Sequence, residues 1–384
     1  MMMQAATFLC LSWLMMTAMT ATASCYPAIF VFGDSLSDTG NSRITDIFGS
    51  KRVSQLPYGE TFPGFPFDRF SDGRLIVDFL ATFTGLPLLN PSQSNHADFS
   101  HGVNYAVAGA TALDAVVLRR QGVFIRSDNR ALNVQVTRHL RLKAAALGGG
   151  RNSSMASPLR LPNSRAFTEG LYVIGISGND YLNALQRRKM YPPSVVSAHI
   201  LPQIIAAIRN ATEVLYANGA RHFLLFNLPP VGCAPVLLAT MRMPARDKYG
   251  CLQDVNSLSY DHNVQLLATV EGLRSTYPDA YFVLADYYGA FVHLLQNKAA
   301  YGITNTLDAC CGGGVFFPYR FNLLLFCSNR STVKLTTLCS DPNAFISWDG
   351  IHFTDRFNCY AFNLTIASGT FLNPSNAFTH CAQH

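Results

Sequence analysis

A serine lies directly after the first apolar run of the chain, in the order Gly33-Asp34-Ser35. A serine hydroxyl becomes a nucleophile only when a base removes its proton and a third group orients that base. Both partners are available near the C-terminus, where Asp349 and His352 lie three residues apart and Gly350 allows a tight turn between them. Asp349 can then reach one imidazole nitrogen while the other faces Ser35. The pattern predicts a catalytic triad of Ser35, His352 and Asp349.

Each of these residues also has a purely structural interpretation. Ser35 or Asp38 would serve as a helix N-cap that accepts free backbone N–H groups after the strand. His352 would cap the following helix, and Asp349 would cap its own turn. The sequence alone leaves these alternatives open for each residue taken singly.

Two further segments offer hydrogen-bond donors for a developing oxyanion. Gly109 follows one apolar run, where the missing side chain allows a backbone N–H to approach a ligand closely. Asn179 follows the next run and offers a side-chain amide of the kind used in oxyanion holes. The alternatives are a plain turn glycine and a helix cap at Asn179-Asp180. We predict that Ser35 N–H, Gly109 and Asn179 form an oxyanion hole.

Short apolar runs alternate with longer amphipathic stretches through most of the chain, which predicts strands alternating with helices. Repeated crossover connections place helices over both faces of a mainly parallel sheet. In such a sheet the ligand crevice lies at the carboxyl ends of the strands. We therefore predict one α/β domain over residues 25–384, with long loop insertions. The predicted strands are 28–32, 103–107, 171–176, 222–226 and 281–285, and the predicted helices lie near 75–84, 132–147, 194–216, 255–277 and 287–298.

The chain resembles the SGNH, or GDSL-type, hydrolases in its four sequence blocks. These blocks are FGDSLSDTGN at 32–41, Gly109, Asn179-Asp180 and DGIH at 349–352, and they occur in the family's order. More specifically, the chain is similar to the large plant family of secreted GDSL esterases/lipases. The segments that carry this closer resemblance are 57–62, 69–74, 228–233, 285–288 and 309–314.

The resemblance implies a three-layer α/β/α flavodoxin-like SGNH-hydrolase fold and the hydrolysis of carboxylic esters, without a metal or an organic cofactor. It makes Ser35 the nucleophile, His352 the base and Asp349 its partner. It also makes Gly109 and Asn179 the oxyanion donors, alongside the N–H of Ser35.

Several kinds of ester are candidate substrates for this reaction. Candidates are acyl lipids, small-metabolite esters and acetyl groups on cell-wall polysaccharides such as xylan. The segments around Tyr58 and Asp72 resemble a plant branch that acts on short acyl groups, and this favours short-acyl esters by analogy.

Two departures from the family pattern stand out. Ser177 takes the place of a glycine that usually begins the third block, and this puts the close packing of that loop in question. The segment 315–326 is more apolar than the family's usual asparagine-rich run, so the substrate preference is expected to differ.

The N-terminal 24 residues are uncharged, contain an apolar stretch at 8–16 and end in small residues, Ala21-Thr22-Ala23. This pattern is typical of a secretory signal peptide with an Ala-x-Ala cleavage site, although the start lacks Lys or Arg. A membrane anchor would need about 20 continuous apolar residues, and this run is shorter and interrupted by threonine. We expect residues 1–24 to be cleaved and the protein to be secreted to the apoplast or cell wall, without stable membrane insertion.

Sequons and cysteines agree with secretion. Outside Cys10 in the leader, nine of the ten cysteines remain, which predicts disulfides with one cysteine left unpaired. Cys310 and Cys311 are adjacent rather than spaced as Cys-x-x-Cys, so a metal site is not indicated. The predicted glycosylation sites are the four sequon asparagines Asn152, Asn210, Asn329 and Asn363.

The net charge of +6 comes from dispersed Lys and Arg residues rather than from a basic cluster among aromatics. Nucleic-acid binding is therefore not expected. Electrostatic retention in an anionic cell wall is a hypothesis that the basic surface allows.

Three other functions compete with a Ser35 esterase. The segment 175–179 nearly matches the Gly-x-Ser-x-Gly elbow of α/β-hydrolases, with Ser177 as nucleophile and Asp286 and His352 following in order. An aspartyl phosphatase would need Asp-x-Asp after the first strand, but Leu36 occupies that place. A catalytically inactive secreted binding protein on the same fold would be indicated by a missing triad member, and none is missing.

Overall fold

The structure is a computed structural model that describes residues 24–45, 47–62, 64, 68–125, 129–148, 159–186, 191–243, 245–325, 327 and 336–381. The predicted signal peptide lies outside the described residues except for Ser24. The predicted glycosylation sites Asn152 and Asn329 also lie outside them.

The strands are short, and those at the centre of the molecule consist almost wholly of buried apolar residues. In chain order they are β1 (Ile29–Gly33), β2 (Gly102–Asn104), β3 (Leu171–Gly175), β4 (His222–Phe226), β5 (Tyr281–Ala285), β6 (Asn305–Ala309), β7 (Cys311–Gly312), β8 (Thr337–Leu338), β9 (Phe345–Ser347) and β10 (Leu372–Asn373). The main sheet has the order β10-β5-β4-β3-β1-β2. Strands β1 to β5 pair in parallel, and β10 adds to β5 as an antiparallel edge.

The helices connect these strands as crossovers. In chain order they are α1 (Asn41–Ile44), α2 (Ile76–Phe83), α3 (Ala115–Arg120), α4 (Leu132–Leu147), α5 (Ser164–Glu169), α6 (Gly178–Gln186), α7 (Pro193–His199), α8 (Leu201–Ala217), α9 (Pro235–Thr240), α10 (Gln253–Thr276), α11 (Tyr287–Gln296) and α12 (Asp355–Phe362).

The sheet is covered on both faces because successive strand residues point to opposite sides. Phe30 and Phe32 of β1 belong to one apolar cluster, which includes side chains from α3 to α10. Ile29 and Val31 belong to a second cluster, which includes side chains from α2, α11 and α12. The predicted three-layer α/β/α fold with a mainly parallel sheet is therefore confirmed.

Two predicted elements differ in length from the structure. The helix predicted over 194–216 is two helices, α7 and α8, that meet at Ile200. Pro202 stands at the second position of α8, where its missing N–H costs no helical hydrogen bond but would interrupt a continuous helix. The strand predicted over 103–107 ends at Asn104, whose side chain accepts the Ala106 N–H and turns the chain out of the sheet.

Two small sheets support the loop that contains Asp349 and His352. Strand β6 pairs with β9, which directly precedes this loop, and β7 pairs with β8. The Cys310 N–H donates to Ser347 O at 3.0 Å, and the Cys311 N–H donates to Trp348 O at 2.7 Å. The same two cysteines form disulfides, Cys310–Cys339 and Cys311–Cys327. The adjacent cysteines thus anchor the segment that leads into the loop.

Two further disulfides between described cysteines join distant parts of the chain or close a short loop. They are Cys25–Cys381 and Cys233–Cys251. Cys359 is also disulfide-bonded, so the prediction of one unpaired cysteine is wrong for the described residues. Within the described ranges, no helix combines the length and apolarity that spanning a membrane requires.

Candidate active site

Ser35 lies at the carboxyl end of β1, in a turn shaped by the preceding aspartate. The Leu36 N–H donates to Asp34 Oδ1 at 3.0 Å, and the Ser37 N–H donates to Asp34 O at 3.1 Å. Ser35 is only 7% exposed. A Cβ atom on Gly33 would lie 2.7 Å from Gly175 O, so a glycine is needed where β1 meets β3 just before the serine. The turn therefore holds Ser35 at the carboxyl end of β1, beside the end of β3.

His352 contacts Ser35 on one side and Asp349 on the other. Its Nε2 lies 2.8 Å from Ser35 Oγ, and its Nδ1 lies 2.7 Å from Asp349 Oδ2. The geometry suits the neutral tautomer in which Nδ1–H donates to the carboxylate and Nε2 accepts from the serine hydroxyl. A hydrogen-bonded chain thus runs from Asp349 through His352 to Ser35.

The loop that carries Asp349 and His352 is held in a tight turn by hydrogen bonds from its own backbone to the Asp349 carboxylate. Asp349 Oδ1 accepts the backbone N–H groups of Ile351 and His352 at 3.1 and 2.9 Å. Gly350 has φ 93°, a conformation that favours glycine, and a Cβ there would lie 2.2 Å from the ring of Phe321. Side-chain size and backbone conformation both require a glycine between the two polar residues.

The pKa values of the two aspartates next to His352, Asp349 and Asp34, are shifted in opposite directions. Burial alone would raise the pKa of Asp349, but the positive charge of His352 and hydrogen bonds from its side chain and backbone hold that pKa well below the usual range. Burial raises the pKa of Asp34 to about 6, although the Leu36 N–H and His352 partly oppose the shift. Asp349 is therefore the carboxylate that stays ionised beside His352.

Gly109 lies in the loop after β2, with φ 73°. The loop is held from two sides by buried carboxylates. Asp38 accepts the Ala108 N–H at 2.8 Å, and Asp180 accepts the N–H groups of Ala112 and Leu113 at 2.8 and 3.0 Å. The loop is therefore fixed against both the turn after β1 and the start of α6.

Asn179 lies beside this loop at the start of α6. Its Nδ2 donates to Ala110 O at 3.0 Å, which uses one of its two hydrogens and orients the other. Asn179 and Ser35 line the same cleft. The structure therefore brings Asn179, the glycine loop and the Ser35 turn to one edge of the sheet.

Of the residues that could have been helix or turn caps, some have that role in the structure and others do not. Asp38 accepts the N–H groups of Gly40, Asn41 and Ser42, so it caps the turn after β1. Ser35 instead contacts His352, and Asp349 contacts both the His352 ring and its own turn. Helix α12 is capped by Thr354, which accepts the Phe357 N–H.

The alternative nucleophile Ser177 lies in the same cleft, but its proposed partners are engaged elsewhere. Asp286 caps α11 through the Gly289 N–H at 2.9 Å and accepts from Asn227 Nδ2 at 2.7 Å. His352 has Asp349 and Ser35 on its two nitrogens. The structure therefore does not assemble a triad around Ser177. Ser177 itself is buried and has φ 139°, an unusual value for a residue other than glycine.

The cleft beside Ser35 is walled mainly by apolar side chains and encloses about 1090 Å³ of empty space, including its opening to solvent. Residues at the ends of β3 and β4, including Gly175 and Phe226, also line it. Its apolar wall includes Leu36, Ile176, Leu182, Leu228, Val231 and Phe353. Such a cleft suits an apolar ester more than a highly charged one.

Sequence reasoning missed the aromatic support behind the triad. The Tyr58 hydroxyl donates to Asp349 Oδ2 at 2.9 Å, and the Phe70 ring lies 4.8 Å from the His352 ring, measured between centroids. Both residues fall in segments that the sequence singled out only by resemblance. No local pattern signals the contact, because Tyr58 and Asp349 are 291 residues apart.

One cluster of potential metal ligands occurs among the described residues, formed by Cys25, His380 and Cys381. Both of its sulfur atoms belong to the Cys25–Cys381 disulfide and are not thiolate ligands. Of the two described sequons, Asn210 is exposed on α8, and Asn363 is half-buried after α12.

The fold and this constellation define a class of hydrolase with a serine, a histidine and an aspartate at the carboxyl edge of a parallel sheet. The family model described as GDSL-like Lipase/Acylhydrolase matches residues 29–364. The chain belongs to this family, as its sequence blocks predicted, and it is a carboxylic ester hydrolase.

Two named relatives cover most of the chain. Acetylajmalan esterase 2 of Rauvolfia serpentina is 39% identical over 332 residues, which cover 86% of each chain. The GDSL esterase/lipase At2g27360 of Arabidopsis thaliana is 34% identical over 361 residues, which cover 90% of this chain and 86% of the relative. Among solved structures, phospholipase A1 from Streptomyces albidoflavus NA297 aligns with a TM-score of 0.31 and 10% identity, over 70% of this chain and 82% of that one.

Proposed function

We propose that this protein is a secreted serine esterase that hydrolyses short-acyl esters through an acyl-enzyme on Ser35. The hydrogen-bonded chain Asp349–His352–Ser35 carries the proposal, with 2.7 Å between Asp349 Oδ2 and His352 Nδ1 and 2.8 Å between His352 Nε2 and Ser35 Oγ. Each residue has the partner that its role requires.

The first step forms the acyl-enzyme. Ser35 Oγ attacks the ester carbonyl carbon while His352 Nε2 takes the hydroxyl proton. The ionised Asp349 stabilises the imidazolium that results. As the tetrahedral intermediate collapses, the bond to the alcohol oxygen breaks and His352 returns its proton to the leaving alcohol.

The second step releases the acid. Water attacks the acyl carbon and gives its proton to His352, and the acyl bond to Ser35 then breaks as Ser35 regains a proton. In both steps the oxyanion accepts hydrogen bonds from the N–H groups of Ser35 and Gly109 and from Asn179 Nδ2. The orientation of Asn179 by Ala110 O supports its role, because preorganised donors require no reorganisation during the reaction.

Short acyl groups are the proposed preference, with acetylated small metabolites, acetylated cell-wall polysaccharide and lipids as the substrate classes to compare. Similarity to two acetylajmalan esterases, at 39% and 37% identity, supports an acetyl ester. The acid released from p-nitrophenyl esters of graded chain length, with acetylated xylan and a triacylglycerol emulsion alongside, tests the preference. Rates that increase with chain length up to long acyl groups would contradict it.

Secretion is supported by the leader pattern and by disulfides that include Cys25–Cys381. Residues 25–384 are proposed as the mature single-domain protein, with glycans on the sequon asparagines. Peptide mapping of the secreted protein would show an N-terminus at Cys25 and a glycan on the exposed Asn210. Elution of the protein from plant cell walls by salt tests electrostatic retention, and release that does not depend on salt would exclude it.

An inactive binding protein on the same fold is the competing function. It predicts that purified protein releases no acid from any ester in the panel and that a fluorophosphonate does not label Ser35. Turnover that Ser35→Ala abolishes excludes it.

A further inference from the structure

Tyr58 is built into the wall behind the Asp349–His352 loop. Its side chain is 1% exposed. Its ring packs edge-to-face on Trp348, with 5.9 Å between the centroids, and on Phe70, with 6.5 Å between the centroids. Phe70 in turn contacts the His352 ring. The tyrosine ring is therefore held in place by the residues that surround the triad.

The Tyr58 hydroxyl has two hydrogen-bond partners, which together determine where its proton points. Its proton goes to Asp349 Oδ2 at 2.9 Å, since an ionised carboxylate only accepts. The Arg52 guanidinium hydrogen-bonds to the same hydroxyl. A guanidinium only donates, so the hydroxyl oxygen accepts from Arg52 and its single proton is committed to Asp349. Burial and the charge of Asp349 raise the pKa of Tyr58, so the proton stays on the tyrosine.

The Asp349 carboxylate is thereby fixed at both oxygens. Oδ1 accepts from the backbone of its own turn and lies 2.9 Å from His352 Nδ1, whereas Oδ2 lies 2.7 Å from His352 Nδ1 and also accepts from Tyr58. The backbone donors alone leave Oδ2 free to move by rotation of the carboxylate. The tyrosine is the contact that restrains Oδ2 independently of the histidine.

We propose that Tyr58 is a positioning residue for ester hydrolysis, which holds Asp349 Oδ2 where it meets His352 Nδ1 and thus aligns His352 with Ser35. The inference rests on the proposed function of the triad. Small misalignments of catalytic groups cost large factors in rate, so a contact that fixes the carboxylate contributes to turnover rather than to substrate binding.

The Tyr58–Asp349 hydrogen bond also affects the negative charge that Asp349 presents to His352. The charged or titratable groups that face Asp349 and His352 are Tyr58 and Arg52 from the 52–58 segment and Asp34 from the end of β1. Tyr58 withdraws negative charge from the carboxylate. Without the Tyr58 hydroxyl, the carboxylate carries more negative charge next to the catalytic base. The low-pH limb of the activity profile therefore moves to higher pH.

The test compares Tyr58→Phe with the matched control Tyr105→Phe in the full-length disulfide-bonded protein. Each variant deletes one buried oxygen and keeps the ring. Tyr105 is equally buried in the core cluster with Phe32, and its hydroxyl has no hydrogen-bond partner among the residues that the structure describes. With p-nitrophenyl acetate, Tyr58→Phe should lower kcat about tenfold at an unchanged KM and shift the low-pH limb upward. Tyr105→Phe should match the wild type in kcat, KM and pH profile.

Several results would overturn the inference. They are a Tyr58→Phe variant with wild-type kcat and profile, a change confined to KM, or equal losses in the two tyrosine variants. In an Asp349→Asn background the Tyr58→Phe effect should vanish, and a full additive loss there would also refute coupling through the carboxylate. If circular dichroism shows that Tyr58→Phe does not fold, Arg52→Met tests the same contact, and an unchanged profile in that variant overturns the proposal.

The proposed function fails in a different way. It fails if the wild type releases no acid from any ester or if Ser35→Ala remains active, whatever Tyr58→Phe does. A wild type that is active and a Ser35→Ala variant that is inactive leave the Tyr58 comparison as a separate question.

Discussion

Replacing Ser177 with glycine should stabilise the protein. Ser177 is buried at the start of α6 with φ 139°, where a side chain is rarely tolerated. Its carbonyl accepts the N–H groups of Asp180 and Tyr181, and Asp180 is in turn tied to Ala112 and Leu113. These contacts hold the backbone in a conformation that glycine adopts without strain.

The expected gain follows from two opposing terms. A non-glycine residue in a sparsely populated backbone region costs about 1–3 kcal/mol. Glycine adds unfolded-chain entropy, which costs about 0.4–1 kcal/mol. The net stabilisation for Ser177→Gly is about 1 kcal/mol, which shifts a urea midpoint upward by about 0.3 M if the unfolding slope is about 3 kcal/mol per M.

The assay is urea unfolding with disulfides intact, followed by circular dichroism and checked for an unchanged slope. Ser177→Ala is the matched control, because it removes the hydroxyl but keeps the Cβ and the strain. The midpoint should rise only in Ser177→Gly, and kcat/KM should stay within about twofold of wild type, since Asn179 keeps its position. A Ser177→Gly midpoint at or below wild type, or an equal rise in Ser177→Ala, would refute the strain argument.

Two further predictions concern the oxyanion hole and pH. Asn179→Ala should lower kcat about 10² to 10³-fold in a protein that is still folded by circular dichroism, and an unchanged kcat would remove Asn179 from the site. Burial raises the pKa of Asp72 and of Asp180 to about 7, so between about pH 4 and 7 the folded state binds protons that the unfolded state has released. The free energy of unfolding should therefore fall as pH rises through this range, with a shallower slope in Asp180→Asn, and a steady increase with pH would contradict the assignment.

Below about pH 4, Asp349 makes the free energy of unfolding change with pH in the opposite direction. The pKa of Asp349 is held below its unfolded value by His352, so its contribution to stability is present above about pH 4 and is lost as pH falls further. The two effects place the stability maximum on the acidic side of neutrality.

Much of the site could be predicted because its residues follow strands that are easy to recognise. Apolar runs such as those of β1 and β4 have the length and composition of buried parallel strands, so the residues after them fall at one sheet edge. The pairing of Asp349 with His352 is local, because three residues and a glycine suffice to bring carboxylate and ring together.

Contacts between distant segments could not be predicted in this way. The Tyr58 contact with Asp349 depends on how the 52–58 loop packs against Trp348, and no periodic pattern encodes that. The pairing of Cys310 with Cys339 and of Cys311 with Cys327 depends equally on tertiary structure. The strain at Ser177 is invisible in the sequence except as a departure from the family's glycine, because φ is set by the surrounding loop.

The central claim is that Ser35 is the nucleophile of an ester hydrolase. Labelling of the purified protein with a fluorophosphonate, followed by peptide mass spectrometry, tests it most directly. The proposed function predicts one modified peptide with the label on Ser35, loss of esterase activity in proportion to labelling, and no label in Ser35→Ala. A label on Ser177, or esterase activity that persists after Ser35 is fully modified, would contradict it.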